Sequence, residues 1–190
     1  MSRPDLKVAA AAVAQRGSIF YRILGPHDER DWLDSVLELI WAAAEGQDVG
    51  DECAEVLEKM GEESQADEFD SSHSEFFAAR SLELIGNALA VALRPDPERV
   101  DQSYIALREL LSIVDYRLGG SESVVTRYGE PSPLPGPLEQ KEIEAEGMVR
   151  DELARSMGQV DAVARIREES SRFSVEVTLP ITDCFNGDDL

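Results

Sequence analysis

Residues 74–93, Ser74-Glu-Phe-Phe-Ala-Ala-Arg-Ser-Leu-Glu-Leu-Ile-Gly-Asn-Ala-Leu-Ala-Val-Ala-Leu93, read as a helix with only a thin polar edge. Phe77, Leu84, Ile85, Ala88, Leu89 and Ala92 fall at helical spacing on one face. Phe76, Leu82, Ala90, Val91 and Leu93 carry apolar surface round most of the rest. A helix apolar on most sides needs neighbours on most sides, so this stretch predicts the centre of a helical bundle. Ser72 and Glu75 have capping-box spacing at its start. Arg94-Pro95 ends it, because the residue before a proline is pushed out of the helical region.

Outward from this centre the same period recurs. Leu6 to Leu24 reads as a helix, alanine-rich early and apolar late, with Pro4 in its first turn and Gly17 as a point of weakness. Arg3 and Lys7 before Val8–Ala14 loosely imitate a secretory signal, but the run is short and alanine only weakly apolar. After Gly25-Pro26, the acids Asp28, Glu29 and Asp31 complement a helix dipole. Trp32, Leu33, Val36, Leu37, Ile40 and Trp41 then form a buried stripe that Gly46 closes. A shorter helix around Asp51 to Met60 turns Cys53, Val56, Leu57 and Met60 inward.

Downstream, Asp96-Pro97-Glu98 starts a helix whose core is Val100, Tyr104, Leu107, Leu111, Val114 and Leu118, ending at Gly119-Gly120. Ser121 to Pro137 is a proline-rich connector containing Val124-Val125 as a short extended piece. Leu138 to about Glu169 returns to helix, with Gly147 and Gly158 as places to bend or divide it. The tail changes period: Phe173, Val175, Val177 and Leu179 alternate strictly up to Pro180, which predicts a minor extended C-terminal segment. A lone strand must pair with residues 122–128, dock in extended form, or add to a partner's sheet, the last being a route to a homodimer. The expected fold is all-α, one domain over residues 1–190: a bundle of five to seven helices over about 5–169, with an extended tail at 170–190.

A formal charge of −21 repels phosphate backbones and anionic lipid heads, so nucleic acid and membrane surfaces are not the expected partners. No segment reads as the ~20 apolar residues of a membrane span. Cys53 and Cys184 lie far apart without metal-type spacing, as free thiols of a cytosolic protein do.

The order of landmarks Leu37-Glu-Leu-Ile-Trp41, Leu57-Glu-Lys-Met60, Ala66-Asp-Glu-Phe-Asp70 and Pro137-Leu-Glu-Gln-Lys-Glu-Ile143 resembles the YjaG-like family of bacterial helical proteins, domain of unknown function 416. The resemblance spans roughly residues 18–170. It implies an all-helical soluble bacterial protein, with no established activity or catalytic residues to carry over.

Charge is concentrated between Glu45 and Glu75, where twelve acids face Lys59 alone, a net of −11. Glu55, Glu58, Glu62, Glu63, Asp67, Glu68 and Asp70 are the candidate surface for a basic protein partner, as in an immunity-type inhibitor; charge complementarity selects such partners and speeds encounter. The alternative is a divalent-cation-dependent enzyme, with Asp67, Asp70, His73 and Glu75 as hard oxygen ligands beside one imidazole. No EF-hand, paired Glu-x-x-His or phosphate-cradling glycine motif is present. Glu55-x-x-Glu58 resembles half of the Mg²⁺ site of the helical nucleotide pyrophosphohydrolases, but Glu98-x-x-Asp101 follows only after a whole intervening helix. The reading leans away from catalysis and needs no cofactor.

Overall fold

The computed structural model describes residues 2–63, 73–119, 134–156 and 160–186. Among the described residues there are seven α-helices: α1 Arg3–Leu24, α2 Arg30–Ala44, α3 Gly50–Glu63, α4 Ser74–Leu93, α5 Pro97–Gly119, α6 Pro137–Ser156 and α7 Val160–Asn186. A single 3-10 turn, His27–Glu29, leads into α2. The chain is an all-α bundle, as its periodicity predicts.

Helix α4 packs against α1, α2, α3 and α5, and buries Phe77, Ser81, Leu84, Ile85, Ala88, Leu89, Val91 and Ala92. Its N-cap is His73, which makes no side-chain cap bond, whereas the sequence placed the cap at Ser72, outside the described residues. By length and composition α4 could also cross a membrane, with 20 residues and a mean hydropathy of 1.4. This corrects the expectation that no segment is long and apolar enough; in the bundle its apolar faces lie against other helices.

Helix α1 is buried along nearly all its length, because the run Ala9–Ala14 keeps its surface small and lets α4 and α7 approach. A capping box between Ser2 and Asp5 opens it. Gly17 does not break it. A Cβ there would sit 2.4 Å from Leu84 Cδ1, so the glycine is what allows α4 to come this close. At the crossing the Ser81 hydroxyl donates to the Gly17 carbonyl at 2.8 Å and accepts from the Tyr21 amide at 3.3 Å.

Two helices, α6 and α7, replace the one expected from Leu138 to Glu169. Gly147 is exposed in unbroken helix; Gly158 lies in the interval outside the described residues, as do Val124 and Val125 of the connector. The α6 N-terminus is held by α5: Asp115 accepts from the Leu138 and Glu139 amides, both at 2.9 Å. A Cβ on Gly136 would meet that carboxylate at 2.4 Å, so only glycine fits there.

The extended tail is the main correction. Residues 160–186 form one helix, and Pro180 lies inside it. Ile166, Ser170, Phe173, Val177, Ile181 and Cys184 are buried at three- and four-residue intervals, while Val175 and Leu179 are 75% and 67% exposed. The alternation is thus split between the inner and outer faces of a helix. A helix satisfies its own backbone hydrogen bonds, which a strand without a partner cannot do.

Candidate functional site

The acidic surface is built on α3, whose first turn carries Asp51 and Glu52 where the helix dipole favours negative charge. Cys53 is buried, and Val56, Leu57 and Met60 pack against the core. That leaves Asp51, Glu52, Glu55, Glu58 and Lys59 exposed. Lys59 donates to Glu55 at 2.8 Å, and this bond, with the lysine's charge, holds the Glu55 carboxyl below its usual range. Among the described residues it is the one ion pair on α3.

Helix α2 differs. Its Asp34 pairs with Arg22 of α1, and Glu38 pairs with Arg167 of α7, which also lies 3.9 Å from Glu45 just beyond the helix. Two of the three acids of α2, Asp34 and Glu38, are therefore matched by bases from neighbouring helices, and no acid of α3 is so matched among the described residues.

Of the other predicted residues, Glu62 and Glu63 belong to the last turn of α3, while Asp67, Glu68 and Asp70 lie outside the described residues. His73 and Glu75 are exposed at the start of α4. The Glu75 carboxyl is held low by its own backbone N–H, then by the Ser74 hydroxyl at 3.2 Å. Among the described residues no three of His, Cys, Asp or Glu converge as metal ligands. Glu55 and Glu58 sit on α3 and Glu98 and Asp101 on α5, with Asp101 engaged by Arg150 at 3.3 Å. Burial raises the Cys53 thiol pKa, which disfavours the thiolate that a nucleophile requires.

The most concentrated polar chemistry lies in the core, away from the acids between Glu45 and Glu75. Arg16 of α1 is fully buried and forms a fork with Glu142 of α6: Nε donates to Oε2 and Nη2 to Oε1, both at 2.7 Å. Nη1 reaches the Ser170 hydroxyl at 3.4 Å. The guanidinium lies between the rings of Tyr104 and Phe173, 5.9 and 5.8 Å from their centroids. Burial alone would lower the Arg16 pKa, but the charge and hydrogen bonds of Glu142 outweigh it and the net shift is upward. One turn along α6, Glu146 meets Arg150 at 2.7 Å and Arg108 at 3.7 Å. The Tyr104 hydroxyl is buried with no partner in hydrogen-bond geometry, and burial pushes its pKa up to about 12.

A signal for this cluster was present. Leu138, Glu142, Glu146, Val149 and Leu153 keep helical spacing, which sets both glutamates on the inward stripe of α6. Arg16 is the one charged residue between Lys7 and Arg22 of α1. With Arg16, Glu142 and Tyr104 all closed to solvent, the arrangement anchors α6 and α7 on α1 and offers no access to a substrate.

No family model, curated protein or solved structure matches the chain.

Proposed function

We propose that this chain is a non-catalytic interaction protein of the cytosol whose α3 face docks a basic protein partner, in the manner of an immunity-type inhibitor. The observation that carries the reading is the contrast between α3 and α2. Asp51, Glu52, Glu55 and Glu58 face solvent against Lys59 alone, while Asp34 and Glu38 of α2 are answered by Arg22 and Arg167. Uncompensated charge on one face steers an oppositely charged partner and costs little to desolvate at a rim. The order of landmarks at Leu37–Trp41, Leu57–Met60 and Pro137–Ile143 supports placing the chain with the YjaG-like family as part of this proposal.

The test is affinity capture from native lysate at low salt, comparing the wild type with a variant carrying glutamine at Glu55, Glu58, Glu62 and Glu63. A basic protein held by the first and released by the second is the expected result. Equal capture by both would remove α3 as the interface.

A further inference from the structure

Helix α6 turns a polar stripe toward the core. Its buried side chains among the described residues are Leu138, Glu142, Glu146, Val149 and Leu153, so two of them are carboxylates. Helix α4 buries Ser81 as its one polar side chain, beside seven apolar ones. Charge ties α6 to each of its neighbours: to α1 through Glu142 and Arg16, to α5 through Glu146 and Arg108 at 3.7 Å and Arg150 and Asp101 at 3.3 Å, and to α7 through Lys141 and Glu176 and through Glu152 and Arg165.

Such contacts place a helix without holding it firmly. Exposed ion pairs contribute little, because water and salt compete for both partners. The buried fork gains its attraction only by stripping water from both ions, and Arg16 and Glu142 recover that water when the helices part. The Tyr104 hydroxyl, buried with no partner in hydrogen-bond geometry, lies on the same seam: Arg150 of α6 sits over its ring, 5.6 Å from the centroid. Parting rehydrates that hydroxyl too. Segments with few buried apolar contacts open at lower free energy than the whole fold. Helix α7, in contrast, sets Ile166, Phe173, Val177 and Ile181 in the core, and α1 is buried along nearly all its length.

We propose that α6 is a strap that releases from α1, α5 and α7 as a unit while those helices stay packed, with the fork between Arg16 and Glu142 as its latch. Release lays bare the Arg16 guanidinium between the rings of Tyr104 and Phe173, which the closed bundle shuts off from solvent. The strap is independent of the α3 face.

The test is residue-resolved amide hydrogen exchange of the full chain by NMR, under conditions where rates report opening equilibria. In the wild type, amides 143–149 of α6 should be at least ~10-fold less protected than amides 84–89 of α4 and 173–179 of α7, and uniformly so, as a unit opening requires. Glu142→Gln, which breaks the latch, should lower protection of 143–149 by a further ~10-fold or more, and α4 and α7 should stay at least ~10-fold better protected than α6. Arg16→Met with Glu142→Leu, which replaces the latch by an apolar contact, should restore α6 at least ~10-fold relative to Glu142→Gln.

Equal protection of α6 and α4 in the wild type would overturn the proposal, since the bundle would then open only as a whole. So would protection in α6 that rises gradually from the ends inward, which is fraying. Loss of α4 in step with α6 in Glu142→Gln, global unfolding included, has the same meaning. Indifference of α6 to Glu142→Gln, or no recovery in the apolar double, would remove the fork as the latch. Loss of α7 together with α6 would make the moving unit a hairpin of both helices, which also overturns the strap.

Discussion

Arg16 and Glu142 show how strongly one residue pair can depend on its partner. Each charge loses its water on burial, and the fork between them is what makes the charged state tenable. Glu142→Gln should therefore cost about 3–5 kcal/mol, whereas Arg16→Met combined with Glu142→Leu should recover most of that loss. Urea denaturation of Arg16→Met, of Glu142→Leu and of the double closes the cycle; a double as unstable as the worse single would contradict it. Tyr104 makes a pH prediction. Its pKa rises from an ordinary 10.0 to about 12 on folding, so between these values the unfolded chain releases the proton and the native one keeps it. This contribution to stability is intact below about pH 10 and is lost as pH rises toward 12, at up to ~1.4 kcal/mol per pH unit. Tyr104→Phe should lack that component of the alkaline decline, and its stability near pH 7 should match or exceed wild type, since a buried hydroxyl without a partner is removed. Identical alkaline profiles for the two proteins would rule the assignment out.

At the scale of the element, α7 makes the sharpest statement. In a strand Phe173, Val175, Val177 and Leu179 would share one face and truncation of any of them would matter similarly. In the helix Phe173 and Val177 face the core and Val175 and Leu179 face water. Phe173→Ala should cost about 3–5 kcal/mol, and Leu179→Ala should stay within about 0.5 kcal/mol. Thermal melts of the two variants suffice to tell the arrangements apart. Proline inside a helix removes one backbone hydrogen bond. Here the loss is offset by burial on both sides of Pro180, at Val177 and Ile181. For α4, Leu84→Ala or Leu89→Ala should cost about 2–5 kcal/mol, consistent with both side chains being almost wholly shielded from solvent.

At the scale of the whole molecule, net charge dominates. A chain at −21 repels itself, and α3 is where the excess is least compensated. Salt near 0.15 M shortens the range of that repulsion to about 8 Å. Tm should rise between very low salt and that concentration, because repulsion among many unpaired acids outweighs the few exposed ion pairs, each of which contributes little. A Tm falling steadily over that range would show that the surface pairs carry more than the self-repulsion.

The positions and types of most elements, and the lopsided placement of charge, follow from local sequence. Helical periodicity at Leu33–Trp41, Leu84–Ala92 and Val100–Val114 has only one way to bury its apolar face, and acids on an exposed turn are charged wherever the chain goes. Tertiary structure decided what local pattern leaves degenerate. Residues 173–179 fit a period of two as well as a period of 3.6, and the small-residue face of α1, which receives α7, selects the helix. Helical spacing sets Glu142 and Glu146 on the inward stripe of α6, but their partners from other helices appear only when α6 is laid against α1 and α5, where Arg16 and Arg108 meet them. A buried charge is stable only beside its counterion, and Arg16 lies 126 residues from Glu142 in the chain, so only the packed bundle brings that pair together.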